Sequence, residues 1–201
     1  MALITYVKLG QITNLSDARY AAGMGVDALG FCTDPNAEHY IPSNTFSDIT
    51  SWINGPCFIA ELGQLDKLDE SYKVSFVESK STATILNNVN KNILRIIFSV
   101  DSANTIEELI TRTYHNTEYT IIEIAPDLLE EYSDTIKQLC AKYKIIISTQ
   151  FNKHTIINFI NNVHPFGIEL LGSTEEKPGY KDYDEIGDIL EVLDEDFIES
   201  P

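Results

Sequence analysis

Residues 7–31, VKLGQITNLSDARYAAGMGVDALGF, hold a short apolar run, a polar turn, an Ala-rich helical segment and a second apolar run directly after Gly25. The turn Thr13-Asn14-Leu15-Ser16-Asp17 has helix-start chemistry, because short oxygen-bearing side chains accept from the free backbone N–H groups of a first turn. The helix ends at Gly23 or Gly25, where bare backbone turns easily. Two apolar strands joined by one helix must run parallel with a right-handed crossover. A parallel sheet needs both faces covered, so the rest of the chain has to supply more of the same unit.

The repeat continues. Residues 33–44 carry two prolines and read as a loop, and Phe46, Ile49 and Ile53 then recur at helical spacing before Gly55-Pro56. A third apolar strand covers 57–62 and a fourth 72–77. Between them lie only nine residues, GQLDKLDES, enough for at most about two helical turns, so the helix between strands three and four is shortened or missing. Alternation resumes with a helix over 81–89, a strand over 93–100, a helix over 105–114 and a strand over 119–124. A long helix over 128–142 begins at Pro126-Asp127, and a strand over 144–148, a helix over 153–163, a strand over 166–171 and a helix over 183–193 complete the series. Eight short apolar strands at this rhythm predict an α/β fold, a (β/α)8 TIM barrel, as one compact domain over 1–201 with an acidic tail at 194–201. The alternative is an open doubly wound sheet, which usually shows a Gly-rich phosphate loop after strand one.

Charge narrows the partners. With 31 acidic against 14 basic residues the net charge is −17, which repels phosphate backbones and anionic membrane surfaces. No apolar run reaches the length of a membrane span, and MALITYVKLG lacks the basic region of a signal peptide. Three scattered cysteines, Cys32, Cys57 and Cys140, suit a reducing cytoplasm and have neither disulfide nor metal spacing. Neither a metal nor a cofactor is expected.

In a barrel of this kind chemistry belongs at the C-terminal strand ends. These carry Lys8 and Gly10, Asp34 and His39, Glu61, Glu78, Asp101, Glu123, Ser148-Thr149-Gln150, and Glu169 with Gly172-Ser173. Side chains two apart on a strand share a face, so Lys8 points inward if Gly10 does. Strands one and eight become neighbours on closure, which predicts an interior Lys8–Glu169 ion pair. Cys32 reads as a packed small apolar residue rather than a base. His39 and Asp34 lack the third convergent donor that a metal needs, and His115, His154 and His164 show no chemical spacing.

Four segments resemble the phosphoribosylanthranilate isomerase family. Val7-Lys8-Leu9-Gly10-Gln11-Ile12-Thr13-Asn14 is similar to its V-K-I-C-G-I-T-N, and Gly25-Val26-Asp27-Ala28-Leu29-Gly30-Phe31 to its G-A-D-A-L-G-F. Residues 34–41, DPNAEHYI, are similar to Y-P-K-S-P-R-Y-V, and 175–182, EEKPGYKD, to E-x-x-P-G-x-K-D. The resemblance implies a TIM barrel and an Amadori rearrangement of tryptophan biosynthesis, with a Cys general base ending strand one and an Asp general acid ending strand six. Those roles fall on Gly10, which has no side chain, and on Glu123, one methylene longer. The family's substrate-contacting Arg falls on His39, and its glycine-rich phosphate turns on Thr149-Gln150 and Ser173. Site residues change where scaffold residues match. The expectation is therefore a barrel that has lost the isomerase activity and binds a small molecule at its mouth, around Lys8, His39, Glu169, Thr149, Gln150 and Ser173, or a protein partner. A homodimer would cover the strand three/four side. The alternative is an active phosphoribosylanthranilate isomerase, or a related sugar-phosphate isomerase, with Glu123 as general acid and Cys32, Glu61 or His39 as substituted base.

Overall fold

Eight parallel strands close on themselves in chain order: β1 (Tyr6–Gly10), β2 (Ala28–Cys32), β3 (Cys57–Glu61), β4 (Phe76–Ser79), β5 (Asn92–Ile97), β6 (Thr117–Glu123), β7 (Ile145–Ser148) and β8 (Gly167–Leu171). The computed structural model describes residues 2–87, 92–172 and 184–194. Around the barrel lie α1 (Leu15–Gly23), α2 (Ser43–Thr50), α3 (Thr82–Asn87), α4 (Ile106–Thr113), α5 (Pro126–Glu131), α6 (Ser133–Lys142), α7 (Ile156–Val163) and α8 (Asp184–Val192). This is the (β/α)8 barrel that the alternation predicts. Among the described residues no helix is long and apolar enough to cross a membrane.

Local chemistry sets the element ends. The Asn14 side chain accepts from the Asp17 N–H at 2.9 Å and starts α1, while Pro126 opens α5 at a position where its missing N–H is not needed. The expected helix over 128–142 is two helices, broken at Tyr132, whose φ of −102° and ψ of 20° leave helical geometry. Helix α7 begins at Ile156 rather than 153, because the Asn152 carboxamide oxygen accepts from the His154 N–H and holds a turn there. Strand five stops at Ile97, and Ser99 and Ser102 then cap each other in a short turn.

Alternation along the strands builds two kinds of core. Residues such as Val7, Leu9, Phe31 and Ile168 point outward to the helices, and the residues that alternate with them, such as Lys8, Gly30 and Glu169, face the barrel interior. Inside, Tyr6, Phe76, Tyr119 and Phe166 form an aromatic floor, with rings 5.1–6.3 Å apart, under Ala28, Ile59, Ile93, Ile121 and Ile146. Above these apolar layers the interior changes character and becomes ionic.

The connection from β3 to β4 contains no helix. Tyr72, expected in the fourth strand, lies before it. Its hydroxyl donates to the Ile41 carbonyl at 2.6 Å, and its ring packs 5.4 Å from Phe46 on α2. Leu62 is fully buried, and Leu68 and Val74 pack on the same cluster. Here the chain itself covers the apolar surface from which a homodimer contact was expected. Tyr72→Phe, which leaves a buried carbonyl without its donor, should lower stability by about 1 kcal/mol, and Tyr72→Ala by about 3–5 kcal/mol, both read from urea denaturation midpoints.

Candidate active site

Strand β1 buries Val7 and Leu9 toward the helices and therefore turns Lys8 to the barrel axis, where its side chain is 0% exposed. The ammonium meets three carboxylates: Glu61 on β3 at 2.6 Å, Glu78 on β4 at 2.8 Å and Glu169 on β8 at 2.5 Å. The register explains the convergence, since Lys8 pairs with Glu169 across the closing β1–β8 seam and Glu61 pairs with Glu78. A second cation, Arg95 on β5, donates to Glu78 at 2.5 Å, to Glu169 at 2.6 Å and to Glu123 on β6 at 3.1 Å. Two cations thus hold four carboxylates, an excess of negative charge inside the barrel.

Burial opposes ionisation of every group here, and the neighbours decide the outcome. For Glu169 burial pushes the carboxyl up, but Lys8 and Arg95 more than reverse this and bring it down to about 2. Glu78 is also lowered, burial being outweighed by Arg95 and then Lys8. Glu61 moves the other way: burial raises it, and Lys8 alone does not offset the added repulsion of Glu78 and Glu169. Burial would strip Lys8 of its proton, yet the three carboxylates hold its ammonium charge above the ordinary lysine range.

Two clefts adjoin at the C-terminal mouth, and Glu61, Glu78 and Arg95 of the ionic layer form the floor of the narrower one. The narrower, about 260 Å³, is lined by Gln11, Cys32, His39, Glu61, Lys80 and Glu123 among others. The wider, about 1250 Å³, is lined by Glu123, Thr149, Gln150, Phe151 and His154 on the β5–β8 side. Glu123 stands where they meet, its side chain 44% exposed. Lys8 and Glu169 are sealed beneath and line neither cleft. The Thr149 hydroxyl is buried with no hydrogen-bond partner among the described residues. Asp34 serves the frame instead: its carboxylate accepts from the Asn36 and Gln64 N–H groups and ties together the loops after β2 and β3. Ser173 lies outside the described residues.

Three oxygens of Glu61, Glu78 and Glu169 lie close enough to hold a metal ion, but the Lys8 ammonium already sits among them and supplies the positive charge. Sequence reasoning placed Lys8 with Glu169 and missed Arg95 altogether. An arginine in the apolar run ILRIIFSV is the signal, because a charge inside a barrel strand needs buried partners.

No family model matches the chain. It is, however, 24% identical over 204 residues to N-(5'-phosphoribosyl)anthranilate isomerase of Sulfurihydrogenibium sp., covering 93% of this chain and 98% of the relative. The same enzyme of Thermotoga maritima is 26% identical over 200 residues, covering 90% and 94%. Among solved structures, phosphoribosyl anthranilate isomerase in complex with reduced 1-(o-carboxyphenylamino)-1-deoxyribulose 5-phosphate superimposes with a TM-score of 0.74 at 19% identity over 94% of this chain and 98% of that one. The Thermococcus kodakaraensis enzyme gives 0.73 at 13% over 96% and 100%. The chain is thus similar to phosphoribosylanthranilate isomerases over nearly its whole length. A dimeric phosphoribosylanthranilate isomerase exists in Thermotoga maritima.

Set against the signature of that family, Gln11 occupies a glycine position and keeps a glycine's backbone, with φ at 58° in the left-handed region. Its neighbour Gly10 falls at the Cys of that signature, and the space beside it holds oxygens of Glu61 and Glu169.

Removing one partner from a buried ionic cluster strands the rest. Lys8→Met should therefore cost about 3–5 kcal/mol of unfolding free energy, against less than about 1 kcal/mol for Lys142→Met, whose pair with Glu107 is half exposed. The pH dependence has a definite sign. Glu169 and Glu78 have folded-state values below the ordinary 4.5, so their contribution is complete above that value and is lost as pH falls from 4.5 toward about 2. Thermal midpoints measured across this window should drop steeply, and the drop should be shallower in Glu169→Gln.

Proposed function

We propose that this chain is an aldose–ketose isomerase acting on a phosphoribosyl amine, with Glu123 as proton donor and the base moved from the strand-one position to another side chain. The observation that carries this reading is the placement of Glu123. It ends β6, where the family resemblance puts the general acid, and it alone of the four carboxylates opens into both clefts. Arg95 grips one of its oxygens and fixes its direction.

The reaction needs a proton delivered to the ribose ring oxygen as the C1–O bond breaks and the amine nitrogen forms a double bond to C1. A base then removes the C2 proton, and the resulting enolamine becomes the ketone. A carboxyl at the junction of the clefts can reach a ring held across it. The phosphate belongs in the wider cleft, away from the ionic floor, where Thr149 and the exposed Gln150 line the wall. His39 in the narrower cleft faces the other end of the substrate.

A second reading, a silent relative that binds a small molecule at the mouth, is favoured by Gly10, which cannot take a proton. Complementation separates the two. Expression in a strain lacking the isomerase should restore growth, and Glu123→Gln should abolish it with a loss in kcat/KM of about a hundredfold or more. Absence of growth at high expression of the wild-type chain supports the silent reading instead.

A further inference from the structure

We propose that Glu61 is the substituted general base, the group that removes the C2 proton in place of the family's strand-one cysteine. This rests on the isomerase reading above and adds the identity of the base.

The first observation is spatial. A Cβ built on Gly10 would lie 3.1 Å from Oε1 of Glu61 and 3.1 Å from Oε1 of Glu169, so the volume that a side chain at the cysteine position would enter begins at these carboxylates. On the neighbouring strand, a Cβ on Gly30 would come within 2.8 Å of the Glu61 carboxyl carbon. No other residue type fits there without expelling it. Two glycines on β1 and β2 therefore make the seat into which β3 delivers its terminal carboxylate.

The second observation separates Glu61 from the carboxylates around it. Glu78 has both oxygens engaged, Oε2 by Lys8 and Oε1 by Arg95, and is 5% exposed. Glu169 gives Oε1 to both cations and is sealed at 0%. Glu61 is 12% exposed, lines the narrower cleft and meets a cation only through Oε1 and Lys8. It combines access to the substrate with a carboxylate that is oriented but not neutralised from both sides. Glu123, the proton donor, lines the same cleft. A sugar held between them would have its ring oxygen and its C2 proton served from different strands.

The step balances without a co-reactant. Glu61 takes the C2 proton from the ring-opened iminium, the C–H electron pair becomes the C1–C2 double bond, and the C1–N π electrons return to nitrogen. Glu61 then returns its proton to C1, while the C2 hydroxyl gives its proton to the carboxylate left on Glu123, and the ketone forms. Burial and the nearby Glu78 and Glu169 raise the affinity of Glu61 for a proton, which strengthens it as a base.

The Cys32 thiol lines the same cleft, but burial raises it as well and no cation among the described residues offsets this. A thiol kept protonated is a poor base.

The test uses the full chain and steady-state isomerisation of phosphoribosylanthranilate. Glu61→Gln should lower kcat a hundredfold or more with KM changed by less than threefold, and Glu61→Asp should recover part of the rate with the wild-type pH profile. In Glu61→Ala, which vacates the seat, adding Gly10→Cys should restore at least tenfold in rate and move the pH profile to the alkaline side, as a thiol replaces a carboxylate. Thermal midpoints establish that each variant is folded. Wild-type turnover with Glu61→Gln within threefold of it overturns the assignment of Glu61 and leaves the isomerase reading standing. So does failure of Gly10→Cys to change the rate or pH profile of a folded Glu61→Ala. A folded wild-type chain without turnover overturns the isomerase reading, and this assignment with it.

Discussion

The Lys8 ammonium is the point on which the upper half of this barrel depends. It is fully enclosed, and it is the shared partner of carboxylates that β3, β4 and β8 bring to the axis. Without it Glu61 and Glu78, directly opposite each other in the sheet register, would face one another as like charges in a medium that screens poorly. Desolvating each ion costs several kcal/mol, and the attraction offsets this only where geometry is tight and the remaining lone pairs find donors. Arg95 supplies three N–H donors, two of them at 2.6 Å or less, while Oε2 of Glu169 is left without a hydrogen-bond partner among the described residues. The ionic layer therefore works as one unit, and neither cation can be lost alone.

That unit replaces what an ordinary barrel core would hold. The lower layers are aromatic and aliphatic and make the barrel a packed solid. At the level of Lys8 the packing is ionic, and the excess of carboxylates gives the mouth a negative floor. The wider cleft opens away from this floor, toward Thr149 and Gln150. The two clefts meet at Glu123.

Much of this was legible in the chain. Strand count and order follow from apolar runs interrupted by helix starts such as Asn14 and Pro126, because those signals are local. The Lys8–Glu169 pair follows from closure, since strands one and eight must meet. Tyr72 was misplaced because its run, YKVSFV, alternates as a strand does, whereas the hydroxyl finds the Ile41 carbonyl and pulls the tyrosine into the loop. Arg95 was hidden for a different reason. Its strand is apolar on both faces, as barrel strands are, so no alternation marks which face the arginine shares. The joint role of Glu61, Glu78 and Glu123 depends on shear and side-chain length, which no spacing in the chain encodes.

Gln11 and Gly10 end β1 in a turn that is held from outside it. Gln11 keeps the left-handed backbone that a glycine adopts freely, at a strain of about 1 kcal/mol or more for a side-chain-bearing residue. The turn at the end of β1 is thus held by its surroundings, by the Gly30 carbonyl accepting from the Ile12 N–H and the Gly10 carbonyl accepting from the Gly172 N–H. A chain pinned in this way on both sides needs no side chain at Gly10 to hold its course. The volume beside Gly10 is open to whichever inward residue of a nearby strand is long enough to enter it. On β3 that residue is Glu61, whose carboxylate reaches across Gly30 to lie beside Gly10. Because all barrel strands project into one axial space, a chemical group can migrate between strands by side-chain exchange alone, with no change in the backbone that carries it.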